Sequence, residues 1–330
     1  MKRAIVTGGA GFIGSHMVDL LLAEGFEVRA IDNLVTGRRE NLAHHRRHPR
    51  LAFEQVDMCE LPAVAPVFEG VDYVFHFGGI GDIVPSIERP LDYMRANVNG
   101  TLAVLEGSRR AGVKKFVYAA SSSCYGLAAV PTAEDAPIRA EYPYALSKYL
   151  GELTALHWAQ VYKLPAVSIR MFNVYGPRVR TTGVYGAVFG VFLAQKVNGR
   201  PFTVVGDGSQ RRDFVYVTDV ARAFLMAAEA PLTGEIFNLG AGNPQSILRL
   251  VELLGGPVVH VPKRPGEPDC TWADIGKISR VLGWKPVVSF EEGVAAMLRT
   301  IDDWRAAPLW TPESIAAATK TWFSYLSGQS

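Results

Sequence analysis

The sequence predicts an α/β fold, a doubly wound parallel sheet followed by a smaller C-terminal α/β region. Three observations lead there. Short apolar runs of strand length alternate with longer stretches of helical periodicity, the order that builds parallel sheets through right-handed crossovers. The first such run breaks into closely spaced glycines and continues as a helix. Several later strands end in glycine, serine or alanine, as expected where successive βα turns border one ligand groove at the carboxyl edge of a sheet.

Residues 4–6 (Ala-Ile-Val) have the composition of a buried parallel strand, and residues 15–24 carry Met17, Val18, Leu20 and Leu21 at helical spacing. Between them lie Gly8, Gly11 and Gly14. At such a turn the first glycine supplies backbone angles closed to other residues, the second lets a pyrophosphate touch the main chain, and the third brings helix and strand together. The helix N-terminus adds free N–H groups and a positive dipole end. The spacing differs from G-x-G-x-x-G and alone would also suit a turn without a ligand. A second strand, residues 27–31, ends in Asp32, eighteen residues after Gly14. An acid there accepts both hydroxyls of an adenosine ribose and repels a 2′-phosphate, which favours NAD over NADP. Arg38 and Arg39 would oppose that choice, but a solvated loop is their expected setting.

Residues 37–50 are strongly basic. A helix there would put His44 and His48 on one face, yet no acidic or cysteine ligand stands near in sequence, so a solvated connection without a metal is expected. A third strand, residues 51–55, leads to Asp57, placed to meet an adenine. A fourth, residues 71–75, ends in His76, Phe77, Gly78 and Gly79, with the glycines allowing close approach to ribose and phosphate. Residues 91–111 read as a helix containing Asn97, and residues 115–119 as a fifth strand. It ends in Ala120, Ser121, Ser122 and Ser123, which bring hydroxyls to the ligand edge of the sheet. Tyr142 then opens a long helix to Tyr162, and Tyr144 and Lys148, four residues apart, share one of its faces.

The formal net charge of +2, with 48% hydrophobic and 20% charged residues, describes an ordinary globule with no overall attraction to nucleic acid or membrane. Three widely separated cysteines form no C-x-x-C pair, which suits a reducing cytoplasm and no zinc site. No secretory signal is read at the N-terminus, and the longest apolar stretch, residues 184–194, is too short to span a bilayer.

Together these residues resemble the extended short-chain dehydrogenase/reductase family, and within it the nucleotide-sugar epimerases of the UDP-glucose 4-epimerase type. The resemblance covers nearly the whole chain. It rests on residues 7–14 (Thr-Gly-Gly-Ala-Gly-Phe-Ile-Gly), on Asp32-Asn33, on residues 97–101 (Asn-Val-Asn-Gly-Thr), and on Ser121 with Tyr144 and Lys148. It continues through residues 170–178 (Arg-Met-Phe-Asn-Val-Tyr-Gly-Pro-Arg), 206–214 and 264–267 (Arg-Pro-Gly-Glu).

The resemblance implies a Rossmann-like NAD-binding domain over residues 1–170 and a nucleotide-sugar domain over residues 171–330, with some later segments returning to the first. For NAD it implies Gly8, Gly11, Phe12, Ile13 and Gly14 at the phosphates. It further implies Asp32, Asn33, Asp57 and Met58 towards the adenosine, and Phe77, Gly78, Gly79, Asn97, Tyr144 and Lys148 along the rest of the cofactor. For the substrate it implies Ser121, Ser122, Asn173, Arg212, Arg264 and Glu267, the last four near the diphosphate and the nucleoside ribose. It implies Ser121, Tyr144 and Lys148 as the catalytic set: Tyr144 would take a proton from the sugar O4 hydroxyl, Ser121 would hold the same oxygen, and Lys148 would lower the tyrosine pKa and bind the nicotinamide ribose.

Related dehydratases carry an Asp-Glu pair where this chain has Ser122 and Ser123, so dehydration is disfavoured. Asp82 is expected either to contact the sugar or to reject an acidic one, and Thr271 to leave room for a larger sugar such as an N-acetyl one. A net dehydrogenase or reductase, a GDP- or CDP-sugar enzyme, and a non-catalytic NAD-responsive protein stay as alternatives. The smaller domain is expected to hold helices at residues 186–198, 247–254, 275–282 and 290–304, and residues 312–326 read as a helical tail without a role. The family's usual subunit contact implies a homodimer through residues 91–111 and 144–162.

Overall fold

The computed structural model describes residues 1–62, 65–181, 188–263 and 267–326. Seven parallel strands form the central sheet: β1 (Arg3–Thr7), β2 (Glu27–Asp32), β3 (Leu51–Gln55), β4 (Tyr73–His76), β5 (Lys115–Ser121), β6 (Ala166–Met171) and β7 (Glu235–Leu239). Their spatial order is β7-β6-β5-β4-β1-β2-β3. The winding reverses beside β1, and the crevice beyond the carboxyl ends of β1 and β4 is where such sheets bind ligands.

The helices are α1 (Phe12–Ala23), α2 (Ile83–Glu88), α3 (Pro90–Met94), α4 (Gly100–Ala111), α5 (Pro143–Tyr162), α6 (Val188–Val197), α7 (Val217–Glu229), α8 (Ile247–Leu254), α9 (Gly276–Leu282), α10 (Phe290–Arg299), α11 (Pro312–Ala318) and α12 (Lys320–Leu326). Met17 and Leu21 of α1 and Val220 and Phe224 of α7 cover one face of the sheet. Val104 and Leu105 of α4 and Ala155 and Ala159 of α5 cover the other. With both faces covered, a central strand such as β5 is apolar on both sides, which is why it reads as a continuous run and not an alternation. A third core, around Phe189, Phe192, Phe202, Leu250, Val294 and Met297, belongs to the smaller region.

The chain does not divide at one point. It leaves the sheet after β6 and returns with α7 and β7, which pairs with β6. It then leaves again, and α9 comes back to pack on β7.

Several elements differ from their expected bounds. Helix α1 starts at Phe12, so Gly14 lies in its first turn and the free N–H groups at its start belong to the glycine turn itself. Residues 39–45 form a 3₁₀ turn. The 91–111 helix is interrupted by a π turn at Arg95–Asn99, because the Asn97 side chain is turned into the site described below. The 290–304 helix ends at Arg299 and continues as a 3₁₀ turn over Ile301–Trp304, and the tail splits at Thr319. Of the 186–198 helix, Val188–Val197 lies within the described residues. No described helix is long and apolar enough to cross a membrane.

Candidate active site

The glycine turn has the geometry a phosphate cradle needs. Gly8 sits at φ +65°, where a side chain would be strained, and its carbonyl accepts from Gly11 N at 2.9 Å. A Cβ on Gly14 would collide with that same carbonyl, so only glycine lets α1 begin this close to β1. Asp32, at the end of β2, is buried, and its carboxylate accepts from Ala10 N at 3.1 Å and Leu34 N at 2.8 Å. Burial raises its pKa, and the backbone donors oppose that shift. Asn33, beside it, is exposed. Arg38 is not the solvated side chain expected. It is half-buried, donates to Thr181 Oγ1 at 3.2 Å and lines the cavity, whereas Arg39 is exposed over the Phe53 ring.

Behind the turn, a chain of hydrogen bonds ties β1, β4 and the π turn together. Gly78 N donates to Thr7 Oγ1 at 2.9 Å, which lies 2.7 Å from His76 Nδ1, and His76 Nε2 lies 2.9 Å from Thr101 Oγ1. Thr101 in turn donates to the Asn97 carbonyl at 2.7 Å. The only consistent set of donors gives Thr7 its hydroxyl hydrogen to Nδ1 and leaves the imidazole protonated on Nε2. Burial, aided by Lys148, pushes the His76 pKa down to about 3 and keeps the ring neutral.

The Asn97 side chain, fully buried, donates to Ile80 O and to Ser147 Oγ, both at 2.9 Å, and accepts from Ile80 N at 2.8 Å. It thereby fixes the loop after Gly79 against α5. Met58 and Phe77 are packing groups here, the first against Gly78 and Gly100, the second against the Phe224 ring at 4.5 Å. Asp57, expected to meet an adenine, accepts from Cys59 N at 2.9 Å and Arg95 Nη1 at 3.0 Å.

Ser121 at the end of β5 and Tyr144 at the start of α5 meet across the sheet edge. The tyrosine hydroxyl donates to Ser121 Oγ at 3.4 Å, and Ser121 Oγ donates to Ser123 Oγ at 3.0 Å. Lys148, one turn further along α5, is buried with its ammonium 4.6 Å from the centre of the Tyr118 ring. Burial pushes its pKa down to about 8. Glu152, the next acid on this face, offers only partial opposition because its carboxylate is bound by Arg170 Nη2 at 2.6 Å and Ser168 Oγ at 2.8 Å. Burial raises the Tyr144 pKa, and its hydrogen bond with the Ser121 hydroxyl opposes that shift. Ser122 and Ser123 lie in a short 3₁₀ turn, with no carboxylate in their places.

A cavity of about 620 Å³ runs from Gly11 and Phe12 past Ser122 to Asn173, Arg212 and Glu267. Arg212 donates to Glu267 Oε1 at 2.7 Å and to Pro268 O at 2.8 Å, and Thr271 Oγ1 donates to Asn173 Oδ1 at 2.8 Å. Of the four later residues expected at the substrate, Asn173, Arg212 and Glu267 line this cavity, while Arg264 lies outside the described residues. Across the cavity Arg180 donates to Asp82 Oδ2 at 2.8 Å. Arg180 and Tyr142 are cavity residues that sequence reasoning missed, the first because its partner is 98 residues away.

Residues 39–45 form a 3₁₀ turn, so His44 and His48 do not share a helix face, but the segment is not simply solvated. His44 and His45 both donate to Asp19 Oδ1, at 2.8 and 2.9 Å, and Arg178 holds the other oxygen. The acidic partner that seemed absent comes from α1, brought in by the fold. Together Asp19, His44 and His45 are a set with metal-ligand chemistry.

A glycine-turn cradle at the switch point of a doubly wound sheet, joined to a Ser–Tyr–Lys set whose neighbours Ser122, Ser123 and Tyr142 line the cavity, defines an enzyme of the extended short-chain dehydrogenase/reductase class. The chain belongs to the NAD dependent epimerase/dehydratase family, whose model matches residues 4–240. It is 36% identical over 303 residues to the UDP-glucose 4-epimerase of Mycolicibacterium smegmatis, covering 89% of this chain and 96% of that one. It is 35% identical to the UDP-glucuronate 4-epimerase of Thermodesulfobacterium geofontis, over 96% of this chain and 98% of the relative. Among solved structures, UDP-glucose 4-epimerase of Thermotoga maritima with UDP-glucose superposes with a TM-score of 0.84 at 34% identity, over 91% of this chain and 99% of that one. UDP-glucuronic acid 4-epimerase of Bacillus cereus, in complex with UDP-glucuronic acid and NAD, gives 0.85 at 30% identity, over 92% and 99%.

Proposed function

We propose that this chain interconverts a UDP-hexose with its C4 epimer, taking a neutral sugar of the UDP-glucose type as substrate. The observation that carries the reading is the meeting of Tyr144 and Ser121, within reach of one oxygen and beside the cavity-lining Ser122 and Tyr142, with Lys148 buried on the same helix face. NAD, when bound, supplies a reversible hydride acceptor. Gly8, Gly11, Phe12, Ile13 and Gly14 would hold its phosphates, Asp32 with Asn33 its adenosine ribose, and Lys148 its nicotinamide ribose.

The residues of the chain do the rest. Tyr144 accepts the proton of the C4 hydroxyl and gives it back, Ser121 holds that oxygen in line, and the positive charge of Lys148 favours the phenolate. The sugar passes through a 4-keto form and turns over in the cavity. Arg212, with Asn173 beside it, supplies charge-assisted donors for the diphosphate, and Glu267 faces the nucleoside ribose. The Asp82–Arg180 pair favours a neutral sugar, because the cation that would attract a sugar carboxylate already carries one.

Exposed Leu146, Leu153, Val161 and Tyr162 on α5 support a homodimer through that helix and α4. Three free thiols, one of them buried, suit a reducing cytoplasm.

The test is incubation of the purified protein with UDP-glucose, UDP-glucuronate or UDP-N-acetylglucosamine without added NAD, followed by proton NMR of the anomeric signals. Interconversion of UDP-glucose with its epimer supports the proposal, and Tyr144→Phe is expected to abolish it while leaving NAD bound. A net oxidised sugar would replace the reading with a dehydrogenase. Exclusive use of the N-acetyl or uronic acid sugar would overturn the assignment of the sugar.

A further inference from the structure

We propose that the C-terminal helices complete the active site, with Trp322 of α12 acting as the wall of the sugar end of the cavity and as the positioning residue for Tyr144. The inference rests on the epimerase reading given above. Helices α11 and α12 lie beyond residues 4–240, the part of the chain that the family model matches.

Among the described residues the Tyr144 hydroxyl makes one hydrogen bond, the 3.4 Å contact to Ser121, so its ring position is set by packing. One face stacks on Tyr142, with centroids 6.4 Å apart and planes 11° from parallel. Tyr93 meets it edge-on at 6.3 Å. Tyr142 is in turn covered by the Trp322 ring at 6.4 Å. A row of three aromatic rings therefore runs from the C-terminal helix to the base. Such contacts are geometrically specific, and removing the outermost ring leaves the middle one unsupported on that side.

The second line of support is the loop opposite. Helix α12 packs on α2, and Thr321 Oγ1 donates to Glu88 Oε1 at 3.1 Å. Helix α2 begins directly after Gly81 and Asp82. A Cβ on Gly81 would touch the Tyr144 ring at 3.5 Å, and Asp82 holds Arg180. The same helix thus braces both sides of the catalytic tyrosine.

The third is burial. Trp322 is 7% exposed, and it lines the cavity together with Thr319, which is 2% exposed. A surface tail would leave its large aromatic residue in water. Here the tryptophan takes the place that solvent would otherwise occupy beside the sugar, and excluding water there protects a 4-keto sugar from escape.

The test uses full-length protein with NAD as purified, comparing Trp322→Ala, Trp322→Phe and, as a control on the same helix, Phe323→Ala, whose side chain is 37% exposed. Trp322→Ala is expected to lower kcat with UDP-glucose roughly ten- to a hundredfold, the scale of a misplaced catalytic group. It is also expected to shift the acid limb of the pH–kcat profile and to raise the relative rate with UDP-N-acetylglucosamine. Trp322→Phe should restore most of kcat, and Phe323→Ala should match the parent. Binding of UDP and of UDP-glucose is measured by calorimetry in parallel, and only the UDP-glucose value should weaken in Trp322→Ala.

Parental kcat, pH profile and UDP-glucose affinity in Trp322→Ala would overturn the proposal. So would equal losses in Trp322→Ala and Trp322→Phe accompanied by lost NAD, which would mark a purely structural residue. If the parent protein does not epimerise UDP-glucose, the proposed function fails, and the ratio of UDP-glucose to UDP affinity still decides the role of Trp322.

Discussion

Replacing Lys148 with methionine is expected to stabilise the cofactor-stripped protein while abolishing turnover. The ammonium is buried on α5, and burial pushes its pKa from an ordinary 10.5 down to about 8. At about 1.36 kcal/mol per pH unit, keeping that charge in the folded chain at pH 7 costs roughly 3 kcal/mol. The folded-state value lies below the unfolded one, so the folded chain binds fewer protons over this range. The cost is complete below pH 8, shrinks as the pH rises from 8 towards 10.5, and is roughly 1 kcal/mol at pH 10. Methionine is unbranched and of similar length, so it removes the charge without opening a cavity.

For 330 residues, an unfolding entropy of about 2.1 cal/mol/K per residue turns 3 kcal/mol into a rise of about 4 °C in Tm. Thermal melts of both proteins at pH 7 and pH 10 read the effect. A gain of the same size at both pH values would refute burial of charge as its cause, and a loss of stability at pH 7 would refute the claim that this charge is a cost at all. The site would then be one where function and stability pull together.

Three other perturbations follow from the geometry. Gly14→Ala must push α1 away from the Gly8 carbonyl, and a strain of about 1–3 kcal/mol should weaken NAD binding roughly five- to a hundredfold by calorimetry. Glu152→Ala leaves Arg170, 3% exposed, without its carboxylate, and should cost about 3–5 kcal/mol in a denaturant titration; a loss under 1 kcal/mol would show the pair to be dispensable. Asp82→Asn frees Arg180 at the cavity wall, so competition by UDP-glucuronate against UDP-glucose should strengthen about tenfold, and an unchanged inhibition constant would remove the pair from specificity.

How far the sequence could be read follows from where each signal lies. The glycine turn, Asp32 and the Tyr144–Lys148 spacing are local patterns, each set by the period of one strand or one helix, and the structure brings them to one sheet edge. Five of the seven strands, alternating with helices, were legible for the same reason, whereas β6 and β7 were not read. The outer ends of elements were less so. The start of α1 at Phe12 and the π turn around Asn97 are decided by hydrogen bonds to other segments, which hydrophobic period does not record.

Pairs formed by the fold were invisible. Asp82 with Arg180, Asp19 with His44 and His45, and Trp322 with Tyr142 join residues 25 to 180 positions apart, and no spacing rule reaches across such distances. The role of Arg38 was misjudged because its loop folds back over the cavity towards Thr181 and not into solvent.

The repeated passage of the chain between the central sheet and the smaller region has a mechanical meaning. The backbone crosses after Met171, again between Tyr216 and Val217, again after Leu239, and once more around α9. A cleft joined by a single linker can swing open about one pair of torsions. Here any opening must carry several crossings with it, three of them at the ends of paired strands, so the two walls of the cavity are tied more closely than one hinge would tie them.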